Sequence, residues 1–181
     1  MRVVAGDLKG RRIEAPVSDA TRPTTDKVRE AVFNALGSLD VVEGAHVMDL
    51  FAGTGAMGIE ALSRGASHCV FVENDRAALG VLRKNIETLG LGDRSSVVSS
   101  DAVMAASRQE GIDLVIADPP YGYKEWEKLL TDISAPLVVL ESDRPIGHIN
   151  GWETVREKKY GRTFVAFLSP GTSAPDTVGG E

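Results

Sequence analysis

The sequence predicts an α/β fold in which helices cover both faces of a mostly parallel β-sheet. Three observations support this prediction. Beyond residue 45, runs typical of buried strands alternate with helical patterns, and such alternation is characteristic of a parallel sheet. A glycine-rich turn joins the first of these strands to the helix that follows it. Near the C-terminus, two strand-like runs flank Tyr160-Gly161 and predict an antiparallel hairpin at one edge.

The residues before this alternation, 1–40, are predicted to form an N-terminal appendage. Two β-like runs, 2–5 and 11–14, are joined by a link that contains Gly6 and Gly10. Glycine-punctuated links between short β-like runs are typical of hairpins, so we expect a small β-hairpin here.

A helix is predicted to complete the appendage. Apolar residues recur at i, i+3, i+4, i+7 and i+8 from Val28, which places them on one helical face. Thr24 or Thr25 can cap the N-terminus of this helix, and Gly37 can end it.

The main domain is predicted to span residues 41–170, followed by a disordered tail, 171–181, of mostly small and polar residues. Gly65 and Gly90 end its first two helices, and Pro119-Pro120 prevents the fourth strand from continuing. The predicted strands are 46–50, 68–72, 96–99, 113–117, 137–141, 152–159 and 163–168. The predicted helices are 57–64, 76–89, a short segment after Asp101, and 124–130.

The composition is that of an ordinary globular protein. Of 181 residues, 43% are hydrophobic and 25% are charged, and no apolar run approaches the roughly 20 residues of a membrane helix. The N-terminus lacks the apolar core of a signal peptide, and the single cysteine, Cys69, lies in a predicted strand and fits a reducing compartment. We therefore expect a cytoplasmic protein. His46, His68 and His148 are scattered along the chain, so no metal site is expected.

The formal net charge of −6 opposes a polyanionic partner, but positive charge is concentrated near both ends of the chain. The basic residues of these two clusters are Arg2, Lys9, Arg11 and Arg12, and Arg156, Lys158, Lys159 and Arg162. Two interpretations remain open. Both stretches are ordinary solvated surface, or they form one edge that faces phosphates.

The glycine-rich turn follows the first predicted strand and leads into a helix. Gly53, Gly55 and Gly58 fit the G-x-G-x-x-G pattern of nucleotide-binding turns, although the same glycines suit a purely structural tight turn. Glu73 ends the second strand beside this turn, where a carboxylate can accept hydrogen bonds from the ribose hydroxyls of an adenosine. Both NAD and S-adenosylmethionine contain that ribose, so Glu73 does not distinguish between them.

Asp49 does distinguish them, because it lies at the end of the first strand, just before the turn. A carboxylate there repels a pyrophosphate and favours a cofactor that carries an amino group and a sulfonium. Asp101 follows the third strand and can accept a hydrogen bond from an adenine amino group, cap the next helix, or do both. Acids at three successive strand ends therefore favour S-adenosylmethionine.

The segment Asp118-Pro119-Pro120-Tyr121 follows the fourth strand, at the edge where open α/β sheets bind ligands. A simple turn with an aromatic lid would use the same residue types. The chemical interpretation is favoured, because the Asp118 carboxylate and the Pro119 carbonyl can both accept N–H groups from one exocyclic amine. Tyr121 offers a face on which a splayed base can stack. The segment predicts methyl transfer to an amino group of a nucleic-acid base, with Asp118 as the first proton acceptor.

Several motifs between residues 1 and 169 form a recognisable set. They are Arg2-Val3-Val4-Ala5-Gly6, Gly10-Arg11, Arg22-Pro23-Thr24-Thr25-Asp26-Lys27-Val28-Arg29-Glu30, Asp49-Leu50-Phe51-Ala52-Gly53-Thr54-Gly55, Glu60-Ala61-Leu62-Ser63-Arg64-Gly65-Ala66, Val72-Glu73, Asp118-Pro119-Pro120-Tyr121 and Arg156-Glu157-Lys158. This set resembles the bacterial small-subunit ribosomal RNA guanine-N2 methyltransferases of the RsmD type, and the Arg-Pro-Thr-Thr block is its most specific part. Tyr121 departs from the pattern, because many relatives have Phe there and tyrosine is usual in amino-adenine DNA methyltransferases.

The resemblance implies a class I methyltransferase with a Rossmann-like, mostly parallel seven-stranded sheet, an N-terminal β-hairpin and a helix. It also implies S-adenosylmethionine as cofactor and N2 of a guanine in 16S ribosomal RNA as target, within a small-subunit particle. The catalytic candidates are Asp118, Pro119, Pro120 and Tyr121. The cofactor-binding candidates are Thr24, Asp49, Phe51, Ala52, Gly53, Thr54, Gly55, Glu73, Asn74, Asp101 and Ala102. The substrate-binding candidates are Arg2, Arg11, Arg12, Arg22 and Thr25.

Three other functions agree less well with the sequence. An amino-directed DNA methyltransferase, which would act on adenine N6, normally has a separate target-recognition domain, and the chain shows none. A nicotinamide dehydrogenase needs a hydride-transfer site, and no His/Arg/Asp arrangement for one is visible. A non-enzymatic binding module would leave the chemistry of the Asp-Pro-Pro-Tyr segment unexplained.

Overall fold

The computed structural model describes residues 1–15, 26–108 and 110–171. The helices are α1 (Asp26–Ser38), α2 (Ala56–Ser63), α3 (Arg76–Leu89), α4 (Ala102–Ala106) and α5 (Trp126–Leu130), with a 3₁₀ turn at Gly92–Arg94. The strands are β1 (His46–Leu50), β2 (His68–Glu73), β3 (Ser95–Ser99), β4 (Leu114–Ala117), β5 (Leu137–Ser142), β6 (Trp152–Tyr160) and β7 (Thr163–Pro170). The separation of an appendage, 1–40, from a main domain stays a prediction, and the predicted tail lies outside the described residues except for its first residue.

The strands form a seven-stranded sheet in the order β3-β2-β1-β4-β5-β7-β6. Strands β1 to β5 pair in parallel, whereas β7 is antiparallel to both β5 and β6. The predicted α/β class and the antiparallel hairpin at the edge are therefore confirmed. The direction of winding reverses between β1 and β4, and open α/β sheets bind ligands in the crevice at such a reversal.

Side-chain alternation along the strands divides the core into two layers. On one side of the sheet, Val47 and Ile116 pack with residues of α1, α2 and α3, and we call this side the front face. On the other side, the rear face, Met48 and Val115 pack with residues of α4 and α5. The helices therefore cover both faces, as the alternation of elements predicted.

Helix α3 has the boundaries that the sequence predicted. The side chain of Asp75 caps its N-terminus by accepting a hydrogen bond from the Ala78 N–H at 2.8 Å. At the other end, Gly90 adopts a left-handed conformation with φ of 69°, and its N–H bonds to carbonyls of the last turn. An N-cap at one end and a left-handed glycine at the other define both boundaries locally, so local sequence was sufficient to predict them.

Helix α1 confirms the predicted N-terminal helix, but the predicted end is wrong. Gly37 lies inside the helix, which continues to Ser38, and the left-handed residue that follows is Asp40, with φ of 55°. Aspartate tolerates this conformation better than most residues, so the chain leaves the helix without using its glycine. The predicted caps, Thr24 and Thr25, lie outside the described residues.

Residues 1–15 form an arm that packs on α2. Its two β-like runs pair through an antiparallel bridge between Arg2 and Arg12, so the predicted hairpin is present but adds no strand to the sheet. The arm turns beside Ser63, whose carbonyl and hydroxyl oxygens both accept backbone N–H groups from it. It then runs back toward the carboxyl edge of the sheet, where the Asn85 side chain exchanges two hydrogen bonds with its backbone.

A buried ionic cluster fastens the arm to α1 and α2. The Glu60 carboxylate, which has no exposed surface, accepts hydrogen bonds from the N–H groups of Val4 and Ala5 at 2.8 and 3.0 Å. The same carboxylate lies 3.4 Å from the guanidinium of Arg29 and 2.8 Å from that of Arg64. Because removal of one partner leaves a buried charge uncompensated, the attachment of the arm depends on every member of the cluster.

Candidate functional site

A cavity of about 460 Å³ opens at the carboxyl edge of the sheet. Loops that follow β1, β2, β4 and β5 supply most of its lining, as expected for the crevice of an open α/β sheet. Among the described residues that line it, six are acidic and none is Lys, Arg or His. The acids are Asp49, Glu73, Asp75, Asp118, Glu141 and Asp143. This excess of negative charge favours a cationic ligand and disfavours a diphosphate.

Four of these acids, Asp49, Glu73, Asp118 and Glu141, occupy front-face positions of their strands. Each lies two residues beyond a side chain of the front core, and residues two apart on a strand share a face. Asp118 and Glu141 each directly follow a residue of the last register pair between β4 and β5, Ala117 and Leu140, which brings them near each other. Strand alternation and register together therefore concentrate these acids in one place.

Asp49 has only 2% of its surface exposed. Its Oδ2 accepts a hydrogen bond from the backbone N–H of Gly58 at 2.9 Å. Burial raises the pKa of Asp49 to about 7, and the negative charges of Asp118 and Glu73 add to this effect, whereas the bond from Gly58 opposes it. A cation in the cavity would stabilise the ionised form of Asp49 and lower this pKa.

The three glycines of the turn serve different purposes. Gly53 and Gly55 have φ of 55° and 82°, a region that favours glycine, and Gly53 lines the cavity. Gly58 lies inside α2, where an added Cβ would stand 2.3 Å from a ring carbon of Phe71 and 2.6 Å from the sulfur of Cys69. The two interpretations that the sequence left open, a nucleotide-binding turn and a structural tight turn, are therefore compatible, because Gly53 lines the cavity while Gly58 allows close packing of α2 on β2.

Glu73 is half-buried at the end of β2, and its carboxylate holds the surrounding backbone in place. One oxygen accepts a hydrogen bond from the Gly53 N–H, and the other accepts from the N–H groups of Asn74 and Asp75, all at 2.8 Å. A carboxylate has about four lone-pair sites, so Glu73 can accept a further bond from a ligand hydroxyl.

The other cofactor-binding candidates that the structure describes divide into two groups. Those that line the cavity are Phe51, Ala52, Thr54 and Asn74, and those that do not are Gly55, Asp101 and Ala102. Asp101 caps α4, because its Oδ1 accepts hydrogen bonds from the N–H groups of Val103 and Met104 at 2.9 and 3.3 Å. Ala102 is buried in the rear core.

All four residues of the segment 118–121 line the cavity. Tyr121 is 59% exposed, so its ring is accessible to an incoming group. Next to this segment, Tyr123 packs edge-on against Phe51 and Trp126, with ring centroids 5.3 and 4.9 Å apart. Burial raises the pKa of Tyr123 to about 12, so its phenol is neutral and adds no charge to the cavity.

Sequence reasoning missed the side of the cavity that β5 and α5 provide. Glu141, which is 3% exposed, lines it together with Ser142, Asp143, Tyr123 and Trp126. The sequence did contain a signal for Glu141. This acid stands at the end of the fifth predicted strand, as Glu73 stands at the end of the second. The strand-end argument was applied to the first four strands, and applied to the fifth it would have identified this acid as well.

None of the arm arginines, Arg2, Arg11 and Arg12, lines the cavity. Arg2 donates a hydrogen bond to a carbonyl of the arm itself, Arg11 donates to the Thr88 carbonyl at 3.1 Å, and Arg12 is exposed. Thr88 lies on the last turn of α3, about 20 Å along the helix axis from Asp75 at the cavity. The remaining predicted site residues lie outside the described residues: Arg22, Thr24 and Thr25.

Within the ranges 1–15, 26–108 and 110–171, no group of His, Cys, Asp and Glu side chains could hold a metal ion, and no helix is long and apolar enough to cross a membrane. His46 and His68, which look scattered in sequence, start two paired strands, and their ring centroids are 6.1 Å apart. Cys69 is buried in the front core, which confirms its predicted structural position, and burial raises the pKa of its thiol.

Known proteins resemble this chain over most of its length. The family model described as "Conserved hypothetical protein 95" matches residues 1–169. The chain is 39% identical over 180 residues to "Putative rRNA methyltransferase YlbH" of Bacillus subtilis (strain 168), covering 92% of this chain and 97% of that protein. It is 40% identical over 121 residues to "Ribosomal RNA small subunit methyltransferase D" of Escherichia coli (strain K12), covering 67% and 60%. A solved structure, "Putative methyltransferase yhhF from Escherichia coli", matches with a TM-score of 0.78 and 37% identity, covering 94% and 97%.

Proposed function

We propose that this chain, which belongs to the RsmD-type family described as "Conserved hypothetical protein 95", transfers a methyl group from S-adenosylmethionine to N2 of a guanine in 16S ribosomal RNA. Relatives that carry the name of rRNA methyltransferases support an RNA substrate and do not favour the DNA alternative. The acidic cavity beside the segment 118–121 is the observation on which the proposal depends.

The cavity suits S-adenosylmethionine in charge, because its described lining residues include six acids and no Lys, Arg or His. When bound, this cofactor supplies a methyl group on a cationic sulfonium. Asp49 would face its positive charge, and Glu73 would accept hydrogen bonds from its ribose hydroxyls. Asp101 does not line the cavity, but its charge acts on Tyr123, which does. Its Oδ2 makes neither of the two helix-capping bonds and would accept from the adenine amino group. Gly53 lines the cavity and has no side chain, so it would allow close approach of the cofactor.

The segment 118–121 would hold the target guanine. Its exocyclic amine is a poor nucleophile, because the nitrogen lone pair is delocalised into the ring. The Asp118 carboxylate and the Pro119 carbonyl would accept its two N–H groups and orient the lone pair toward the methyl carbon, while the Tyr121 ring stacks on the base. The cofactor would supply the methyl group to this nitrogen and leave as the neutral thioether, and Asp118 would accept the proton that the methylated nitrogen loses.

The proposed RNA substrate also implies where the protein acts and which residues contact the RNA. Bacterial 16S ribosomal RNA is made and assembled in the cytoplasm, where the protein would act on a small-subunit particle. The residues proposed to contact the RNA or close over the target base remain Arg2, Arg11, Arg12, Arg22 and Thr25.

Mass mapping of methylated nucleosides tests this function directly. Ribosomal RNA from cells with and without the protein is digested and compared, and we expect one N2-methylguanosine of the 16S RNA to disappear with the protein. Purified protein should restore it in unmodified small-subunit particles. Unchanged ribosomal RNA in these cells, or transfer to adenine in DNA, would contradict the proposal.

Asp118→Ala is expected to lower the single-turnover rate of methyl transfer by about 100-fold or more, the usual range for a general base. Cofactor affinity and the fold should be retained, because Asp118 acts on the amine. Single-turnover kinetics and calorimetry on the same preparation separate the two effects. A near-normal rate would remove Asp118 from its proposed role.

A further inference from the structure

The second half of the edge strand β6 has a basic front face, whereas the one acid on that face, Glu153, lies near the start of the strand and pairs with Ser169. Residues 153–159 are all exposed, so their orientation is set by pairing with β7 and not by burial. Arg156 and Lys158 pair with Phe167 and Val165, which belong to the front core. Directly paired residues of antiparallel strands share a face, so both cations lie on the front face, the side of the sheet that carries the cavity acids.

The rear face of the same strand is neutral. Glu157 and Lys159 alternate with the two front-face cations, and Glu157 pairs with Ala166 of the rear core. Glu157 therefore lies on the opposite face of the strand from Arg156 and Lys158. The ion pairs found among the described residues involve none of the cations on this hairpin.

The tip of the hairpin adjoins the cavity. Thr163, the first residue of β7, lines the cavity, and Arg162 precedes it in the turn. Lys158 lies two residues from the end of β6, so strand geometry places its Cα about 8 Å from that of Thr163. Its ammonium lies 5.3 Å from the ring centroid of Tyr160, toward the tip.

The contrast between an acidic cavity and a basic rim fits a nucleotide whose base is turned out of the RNA. The base can enter the cavity, but six carboxylates repel the phosphates on either side of it. Those phosphates must stay outside, within reach of cations. We infer that Arg156, Lys158 and Arg162, the hairpin cations, bind the RNA phosphates that flank the target base. This inference rests on the proposed RNA substrate.

Adjacent residues of β6 provide a matched test. Lys158→Glu and Lys159→Glu change the net charge equally, one residue apart, but on opposite faces of the strand. The measurement is affinity for an unmodified 16S RNA transcript across a salt series. We expect Lys158→Glu to weaken binding roughly 3- to 10-fold and to reduce the slope of log affinity against log salt by about 0.7–1. Lys159→Glu should stay close to wild type in both.

The double variant Arg156→Glu/Lys158→Glu should reduce the slope by about twice as much. Thermal unfolding and calorimetry with S-adenosylmethionine show whether each variant keeps its fold and its cofactor site. Equal effects of Lys158→Glu and Lys159→Glu, or no effect of either, would overturn the inference. Wild-type protein whose RNA affinity does not respond to salt would instead contradict the proposed RNA substrate, so the two failures are distinguishable.

Discussion

At the scale of single residues, Asp49 links the charge of the cavity to the stability of the fold. Its pKa of about 7 in the folded protein stands well above the ordinary 3.8, so ionisation of Asp49 destabilises the folded state. Protonated Asp49 stabilises the folded state fully below about pH 4, and this stabilisation is lost as the pH rises to about 7. The loss is on the order of 4 kcal/mol if the whole shift is counted.

Asp49→Asn should therefore stabilise the ligand-free protein in a pH-dependent way. The neutral amide can still accept the hydrogen bond from Gly58 but has no charge to bury. The quantity to compare is the free energy of unfolding of Asp49→Asn minus that of wild type. This difference should be about 2–3 kcal/mol larger at pH 8 than at pH 5. Urea unfolding at the two pH values measures this difference, and parallel pH profiles for the two proteins would show that Asp49 is not titrating in this range.

Glu73→Ala should weaken binding of S-adenosylmethionine by about 1–3 kcal/mol, the range for losing hydrogen bonds to a charged group. The variant also removes the carboxylate that holds the turn at Gly53, so Glu73→Gln is the control, since its amide oxygen retains part of that contact. Calorimetry on both variants gives the affinities. Unchanged affinity of Glu73→Ala would exclude this residue from the cofactor site.

At the scale of elements, local sequence signals predicted the boundaries of a helix or strand well where residues of that element or its immediate neighbours define them. Helix α3 has its cap and its terminating glycine within the chain, and strand β1 has a buried run that ends at the glycine turn. Helix α1 was predicted to end at Gly37, but Asp40 provides the left-handed turn, and no rule based on glycine alone finds it. Local rules predicted the hairpin of the arm but not its packing on α2, because Glu60 and Ser63, far along the chain, accept hydrogen bonds from its backbone.

Packing of α2 on β2 predicts opposite effects for two helical glycines. Gly58→Ala should destabilise the protein by about 1–3 kcal/mol, because its Cβ would overlap the side chains of Phe71 and Cys69. Gly80→Ala, in α3, meets nothing within 4 Å and should stabilise the protein by up to about 1 kcal/mol. Urea unfolding of both variants checks the pair. A Gly58→Ala protein as stable as wild type would mean that α2 shifts freely on the sheet.

At the scale of the whole molecule, sequence patterns located the acids at strand ends but not their grouping. Asp49, Glu73 and Asp118 were each identified, yet only strand order and register reveal that they share the front face with Glu141. The same limit applied to the basic residues. Their clustering in sequence was visible, but alternation along β6 and its pairing with β7 were needed to separate Lys158 from Lys159.

The arm and the β6–β7 hairpin give the final prediction, which concerns how far the RNA extends over the protein. Arg11 reaches Thr88 at the far end of α3, whereas Lys158 belongs to the other edge of the sheet. Substitutions this far apart are expected to change the free energy of RNA binding additively. If the RNA contacts both, Arg11→Glu/Arg12→Glu and Lys158→Glu should each lower the salt slope of RNA binding, and the combined variant should show the sum. Cofactor affinity should stay unchanged throughout, with Lys159→Glu as the control for net charge. An arm variant with the wild-type slope would confine the RNA to the hairpin side and leave the arm arginines as solvated surface.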